Sequence, residues 1–104
     1  MNYWILDTWL VKPGHEDEFI AFWTDLVNWT VQEVPGIAGG APLYRDMGQM
    51  DRFFCPMAWE STEAIAAWRA NRGYQSRIEQ IERICVELEA RTLVQAAKVS
   101  RSAA

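Results

Sequence analysis

Apolar side chains occupy both parities of the opening stretch, residues 3–11 (YWILDTWLV). In an extended chain successive side chains point to opposite faces, so Tyr3, Ile5 and Trp9 fall on one side and Trp4, Leu6 and Leu10 on the other. The aromatic and β-branched content predicts a strand with bulk on both faces. Pro13-Gly14 ends it, because proline cannot continue a ladder and glycine supplies unusual backbone angles. Glu16, Asp17 and Glu18 come next, the charge favoured at a helix N-terminus. Phe19, Phe22, Trp23, Leu26, Val27 and Thr30 then recur at helical spacing, which predicts a long amphipathic helix reaching Val34.

Beyond it, residues 34–40 (VPGIAGG) read as a flexible connection rich in turn residues. Residues 42–47 read as a short strand, 48–51 as a turn, and 52–59 (RFFCPMAW) as a second strongly apolar strand. Phe53, Met57 and Trp59 oppose Phe54 and Ala58 in it, and Pro56 requires an edge position or a bulge. Ser61 is a natural N-cap, with Glu63 in the first turn and Ile65 and Trp68 on one stripe of the helix that follows. Asn71-Arg72-Gly73 breaks that helix. A third helix is predicted over 74–89, with Tyr74, Ile78, Ile81, Cys85 and Leu88 on a narrow face, then a last strand over 91–99 and a frayed tail over 100–104. The pattern is β-α-β-β-α-α-β: one α+β domain over residues 1–104, core about 3–99, ferredoxin-like, with helices on one face of a four-stranded antiparallel sheet. Antiparallel sheets usually leave the other face polar, but the first and third strands do not. A second copy packed on that face, forming a homodimer with a barrel-like interior, is the simplest cover.

Composition narrows the partners. The net charge of −4 and a pI near 4.9 argue against nucleic acid, and no Lys/Arg cluster overrides them. Arg69, Arg72 and Arg77, interleaved with apolar and acidic residues, read as a solvated helix face. No apolar run approaches a membrane span. Cys55 and Cys85 lack the spacing of a zinc site, and Met1-Asn2 leads straight into the first strand without a signal peptide. The expectation is a cytoplasmic protein with two reduced thiols and no metal.

Several segments, taken together, resemble the antibiotic biosynthesis monooxygenase family. They are Lys12-Pro13-Gly14-His15-Glu16-Asp17-Glu18-Phe19, Pro35-Gly36 after the first helix, Trp59-Glu60-Ser61, and Ala67-Trp68 downstream. The similarity runs from about Tyr3 to Val99. It implies a dimeric α+β barrel and a pocket in each subunit between sheet and helices. It also implies cofactor-independent oxygenation of an aromatic polyketide-, phenol- or quinol-like small molecule. Haem-degrading members of the family carry an Asn on the first strand, a Trp in the second helix and a His about ten residues later. Here Trp68 matches, but Asp7 and Ile78 stand where the Asn and the His would be. Without an imidazole there is no usual axial ligand, so haem degradation is disfavoured and no cofactor is expected.

Asp7 is the main candidate for chemistry. It interrupts an apolar strand on the face of Ile5 and Trp9, where burial would raise its pKa and make it a general base towards a phenol. The competing reading pairs it with Arg45 or Arg52 of either subunit. Trp9, Trp23 and Trp68 are candidate apolar walls, the two helical ones reading first as core because their stripes face the sheet. Tyr74 could donate a hydrogen bond at a pocket mouth or simply start the third helix. Asn71 could orient a carbonyl or an oxygen species, or cap a helix end. The lone His15, in the turn before the first helix, reads as a solvent-facing cap-region residue. An apolar cavity with one carboxylate and a few neutral donors suits cofactor-free oxygenation. It suits a non-enzymatic module that binds a hydrophobic ligand, or that serves only to dimerise, equally well.

Overall fold

The computed structural model describes residues 3–102; Met1-Asn2 and the last two residues of the expected tail, Ala103 and Ala104, lie outside them. The elements are β1 (Tyr3–Val11), α1 (Glu16–Glu33), β2 (Tyr44–Asp46), β3 (Gln49–Trp59), α2 (Thr62–Ala70), α3 (Arg72–Arg83) and β4 (Cys85–Val94). The four strands form one antiparallel sheet in the order β2-β3-β1-β4, the ferredoxin-like arrangement expected from the pattern.

β1 is central and sorts its side chains strictly by parity. Ile5, Asp7, Trp9 and Val11 are buried beneath the helices, whereas Trp4, Leu6, Thr8 and Leu10 lie half-buried on the opposite face. β3 repeats this alternation, with Phe53, Cys55, Met57 and Trp59 buried. Among the described residues no helix covers the other face, where Trp4, Leu6 and Leu10 stand beside Phe54, Pro56 and Ala58. Pro56 lies where β3 has run past the end of β2, so its missing N–H leaves the β1–β3 register unbroken.

α1 buries Phe19, Trp23, Leu26, Val27 and Thr30, the stripe read from its periodicity except for Phe22, which is half-buried. Phe19 packs between Trp9 and Phe53, at ring distances of 5.2 and 4.8 Å. His15 sits at the N-cap without a side-chain cap bond, near Glu18 on the surface. Ser61 caps α2, its Oγ accepting from the Ala64 N–H at 3.0 Å. Gly36, at φ +100°, lets the loop after α1 press against α2: a Cβ there would lie 2.5 Å from that of Ala64.

Four sequence expectations need correction. β3 begins at Gln49, absorbing most of the predicted turn. α3 ends at Arg83, and Cys85 and Leu88 belong to a strand instead of a helical stripe. β4 also stops at Val94, leaving 95–102 exposed without regular structure. The helix ends where Lys12 reaches it: the Lys12 backbone N–H donates to Ile84 O and its Nζ to Arg83 O, both at 2.8 Å. Finally, of the three arginines read as a solvated face, only Arg72 is fully exposed. Arg77 stacks over Trp29 at 4.7 Å and pairs with Asp25 at 3.1 Å. Gly73 makes that contact possible, since a Cβ there would come within 2.3 Å of the Trp29 ring.

Candidate active site

Asp7 lies at the centre of the middle strand, opposite Cys55 on β3 and Ala90 on β4. Hydrogen bonding on both sides fixes its backbone, and parity turns its carboxyl towards the helices. The residue is 9% exposed and its carboxyl makes no hydrogen bond or ion pair among the described residues. Burial pushes its pKa up to about 6, against the pull of the Arg69 guanidinium. The competing assignment to Arg45 or Arg52 is not realised within the chain. Arg45 Nε donates to Met50 O and its guanidinium covers Phe53, while Arg52 pairs with Glu87.

The groups around Asp7 hold their protons. Burial raises the Cys55 thiol to about 12; the Trp23 indole beside it opposes this and the Asp7 charge adds to it. Tyr74, half-buried at the start of α3, is also pushed up to about 12, by burial first and then by Asp7, with Arg69 opposing and Glu82 adding. At neutral pH the cluster therefore combines one ionised carboxylate with neutral donors. The indole N–H groups of Trp9, on the same face of β1, and Trp23, beside Cys55, add to the supply, each buried without a hydrogen-bond partner.

The aromatic candidates divide by role. Trp68 is 2% exposed, stacked against Trp59 at 5.0 Å and Tyr74 at 4.4 Å. Its Nε1 donates to Thr30 Oγ1 at 3.0 Å, and that hydroxyl donates to Leu26 O at 2.8 Å. Trp9 and Trp23 are core residues as well. Asn71 stands apart: it is exposed, its Oδ1 accepts from the Gly73 N–H at 2.7 Å as the α3 cap, and it faces a different groove. That groove, of about 260 Å³, runs between the loop after α1 and α2, and Asp7 does not line it. The structure thus brings Asp7, Trp9, Trp23, Trp68 and Tyr74 into one neighbourhood and leaves Asn71 outside.

Sequence reasoning missed Cys55 and Arg69. Cys55 could have been found from the β1–β3 register, which sets it opposite Asp7; nothing in the charge pattern marked Arg69. The described residues contain no group of three or more His, Cys, Asp or Glu able to hold a metal ion, and no helix long and apolar enough to cross a membrane.

The family model for antibiotic biosynthesis monooxygenases matches residues 5–80, which span β1 through most of α3 and include all the candidate residues. The chain belongs to the antibiotic biosynthesis monooxygenase family. Solved structures of similar fold include a variant of SnoaB, a cofactor-independent oxygenase from Streptomyces nogalater. It has a TM-score of 0.86 at 13% identity, with 96% of this chain and 98% of that one covered. Proteins described as candidate antibiotic biosynthesis monooxygenases give similar matches. One from Deinococcus radiodurans has a TM-score of 0.83 at 13% identity, and one from Chloroflexus aurantiacus 0.77 at 19%, each covering 96% of this chain and 98% of its own. At these identities the likeness concerns the fold alone. A search of curated proteins gives no match. Membership places this antibiotic biosynthesis monooxygenase domain in a fold that hosts several activities, so its chemistry has to be argued from its own residues.

Proposed function

We propose that this chain is a cofactor-independent monooxygenase of an aromatic polyketide-, phenol- or quinol-like small molecule, working as a homodimer. One observation carries the reading: a buried carboxyl without an ion pair, surrounded by aromatic side chains and neutral donors. Such a carboxyl is ionised at neutral pH yet basic enough to take a proton, the balance general-base catalysis needs. The family, and the description of SnoaB as a cofactor-independent oxygenase, support it.

Asp7 acts as the base, Tyr74 as a polar contact, and Trp9, Trp23 and Trp68 as the apolar walls; Asn71, committed to the α3 cap, takes no part. Removing a proton from the substrate leaves an electron-rich anion. That anion adds to oxygen as a peroxide, and loss of water leaves a carbonyl, so both electron pairs come from the substrate and no further reductant enters. The uncovered sheet face, with Trp4, Leu6, Leu10 and Phe54, is the dimer surface.

Oxygen uptake with a panel of phenols and quinols tests the reading. Turnover should consume oxygen and substrate in equal amounts, rise with pH through about 6, and disappear in Asp7→Asn. Saturable binding without uptake by any of them would favour the second reading, a non-enzymatic module for a hydrophobic ligand. The packing of Trp68 speaks for that alternative: the indole fills the core and is tied to Thr30.

A further inference from the structure

Three arginines of the described chain are half-buried: Arg52, Arg69 and Arg77. Two of them are paired, Arg52 with Glu87 and Arg77 with Asp25. The Arg69 side chain makes no hydrogen bond and no ion pair among the described residues. Only its carbonyl is engaged, accepting from Gln75 Nε2 at 3.5 Å. A partly desolvated guanidinium without an acceptor is unusual, because its donors lose water and gain nothing in return.

Its position supplies a use. Arg69 follows Trp68 at the end of α2, and the Trp68–Tyr74 stack folds α2 and α3 into a corner that brings Arg69 and Tyr74 together. The fields of Asp7, Arg69 and Tyr74 reach one another, so the three stand as a cluster. The side of this cluster towards β4 is bare. Ala90, directly opposite Asp7, is exposed, as are Leu88 and Thr92 on the same face. The carboxyl therefore lies beside an uncovered strip of strand, along which a flat molecule could reach it.

We propose that Arg69 is the anion-binding residue of this site, receiving the oxygen of a phenolic or enolic substrate once Asp7 has taken its proton. The proton moves from the substrate O–H to the Asp7 carboxylate, the electron pair stays on the substrate oxygen, and the guanidinium holds that oxygen by charge-assisted N–H bonds. The selected class is then hydroxyaromatics and enols that ionise, in preference to their O-methyl ethers. The inference rests on the monooxygenase reading for its chemistry, but its binding step can be measured without turnover.

The probe is 4-nitrophenol, whose phenolate and neutral forms absorb differently. At a pH where the free probe is mainly neutral, adding the parent protein should increase the phenolate band. Arg69→Met should weaken phenolate binding by roughly 10- to 100-fold, the loss expected for a hydrogen bond to a charged group. Arg69→Lys should restore part of it, while 4-nitroanisole should bind the parent and the Met variant alike. The Arg69 side chain has no hydrogen bond or ion pair among the described residues to lose, and thermal melts would verify that each variant is folded. Absence of a phenolate band with the parent, or an equal band with Arg69→Met, would overturn the proposal. An Arg69-dependent band without oxygen uptake from any phenol would leave the anion site standing and defeat the oxygenase reading. Undiminished uptake in Arg69→Met with an unchanged KM would do the reverse.

Discussion

Replacing Asp7 with Asn should make the protein more stable, and only above mildly acidic pH. A carboxyl that titrates at about 6 in the fold, against its ordinary 3.8, holds its proton more tightly folded than unfolded. Between those values the native state binds more protons than the unfolded chain, so stability falls as pH rises. Above the folded value the deficit is complete. At ~1.4 kcal/mol per pH unit it amounts to ~3 kcal/mol, a large part of the stability of a small domain. Asp7→Asn keeps the shape and removes the charge. Urea unfolding of both proteins at one fixed concentration should give similar midpoints near pH 4 and a variant ahead by ~3 kcal/mol near pH 8. A pH-independent difference, or a variant that loses stability at high pH, would refute the reasoning. The second result would mean that the carboxylate has a stabilising partner, such as an arginine across a subunit interface.

Other parts of the structure make equally definite predictions. Thr30→Val leaves the buried Trp68 N–H without its acceptor and should cost ~1–3 kcal/mol in chemical denaturation, with little change in secondary structure by circular dichroism. Gly73→Ala drives a methyl group into the Trp29 ring and should lower stability by ~1–3 kcal/mol, with a shift in Trp fluorescence as the ring is displaced. Leu6→Glu, on the sheet face that no helix covers, should leave the monomer folded and abolish self-association in sedimentation at micromolar concentration; a dimer that persists would put the interface elsewhere.

Much of this architecture could be read directly from side-chain periodicity. The parity of Ile5 and Trp9 against Trp4 and Leu6, the stripe from Phe19 to Thr30 and the Ser61 cap each follow from a single local rule, and local rules act here without competition. The α3–β4 junction was not legible for the opposite reason. Ile81, Cys85 and Leu88 fit a helix, while Val86, Leu88 and Ala90 against Glu87, Glu89 and Arg91 fit a strand. The choice is made by pairing with β1, which lies far away in sequence. The site was legible to a similar degree. A lone acid in an apolar strand marks itself, and the structure buries Asp7 there. Asn71 looked equally polar, but its carbonyl is spent on capping α3. Arg69 was indistinguishable from Arg72 by composition; what separates them is the helix corner that half-buries one and exposes the other.

The position of Asp7 on a strand paired along both edges also bears on how new specificities could arise. A carboxyl mounted on a central strand cannot be re-aimed by small backbone shifts, since its neighbours on β3 and β4 would have to move with it. Variation that preserves the proposed proton acceptor is confined to the helix corner around Arg69 and Tyr74 and to the bare strip of β4. Libraries that diversify residues 69, 74, 88, 90 and 92 while holding the strand constant should therefore yield altered substrate ranges far more often than libraries spread over β1, where most changes would cost the fold first.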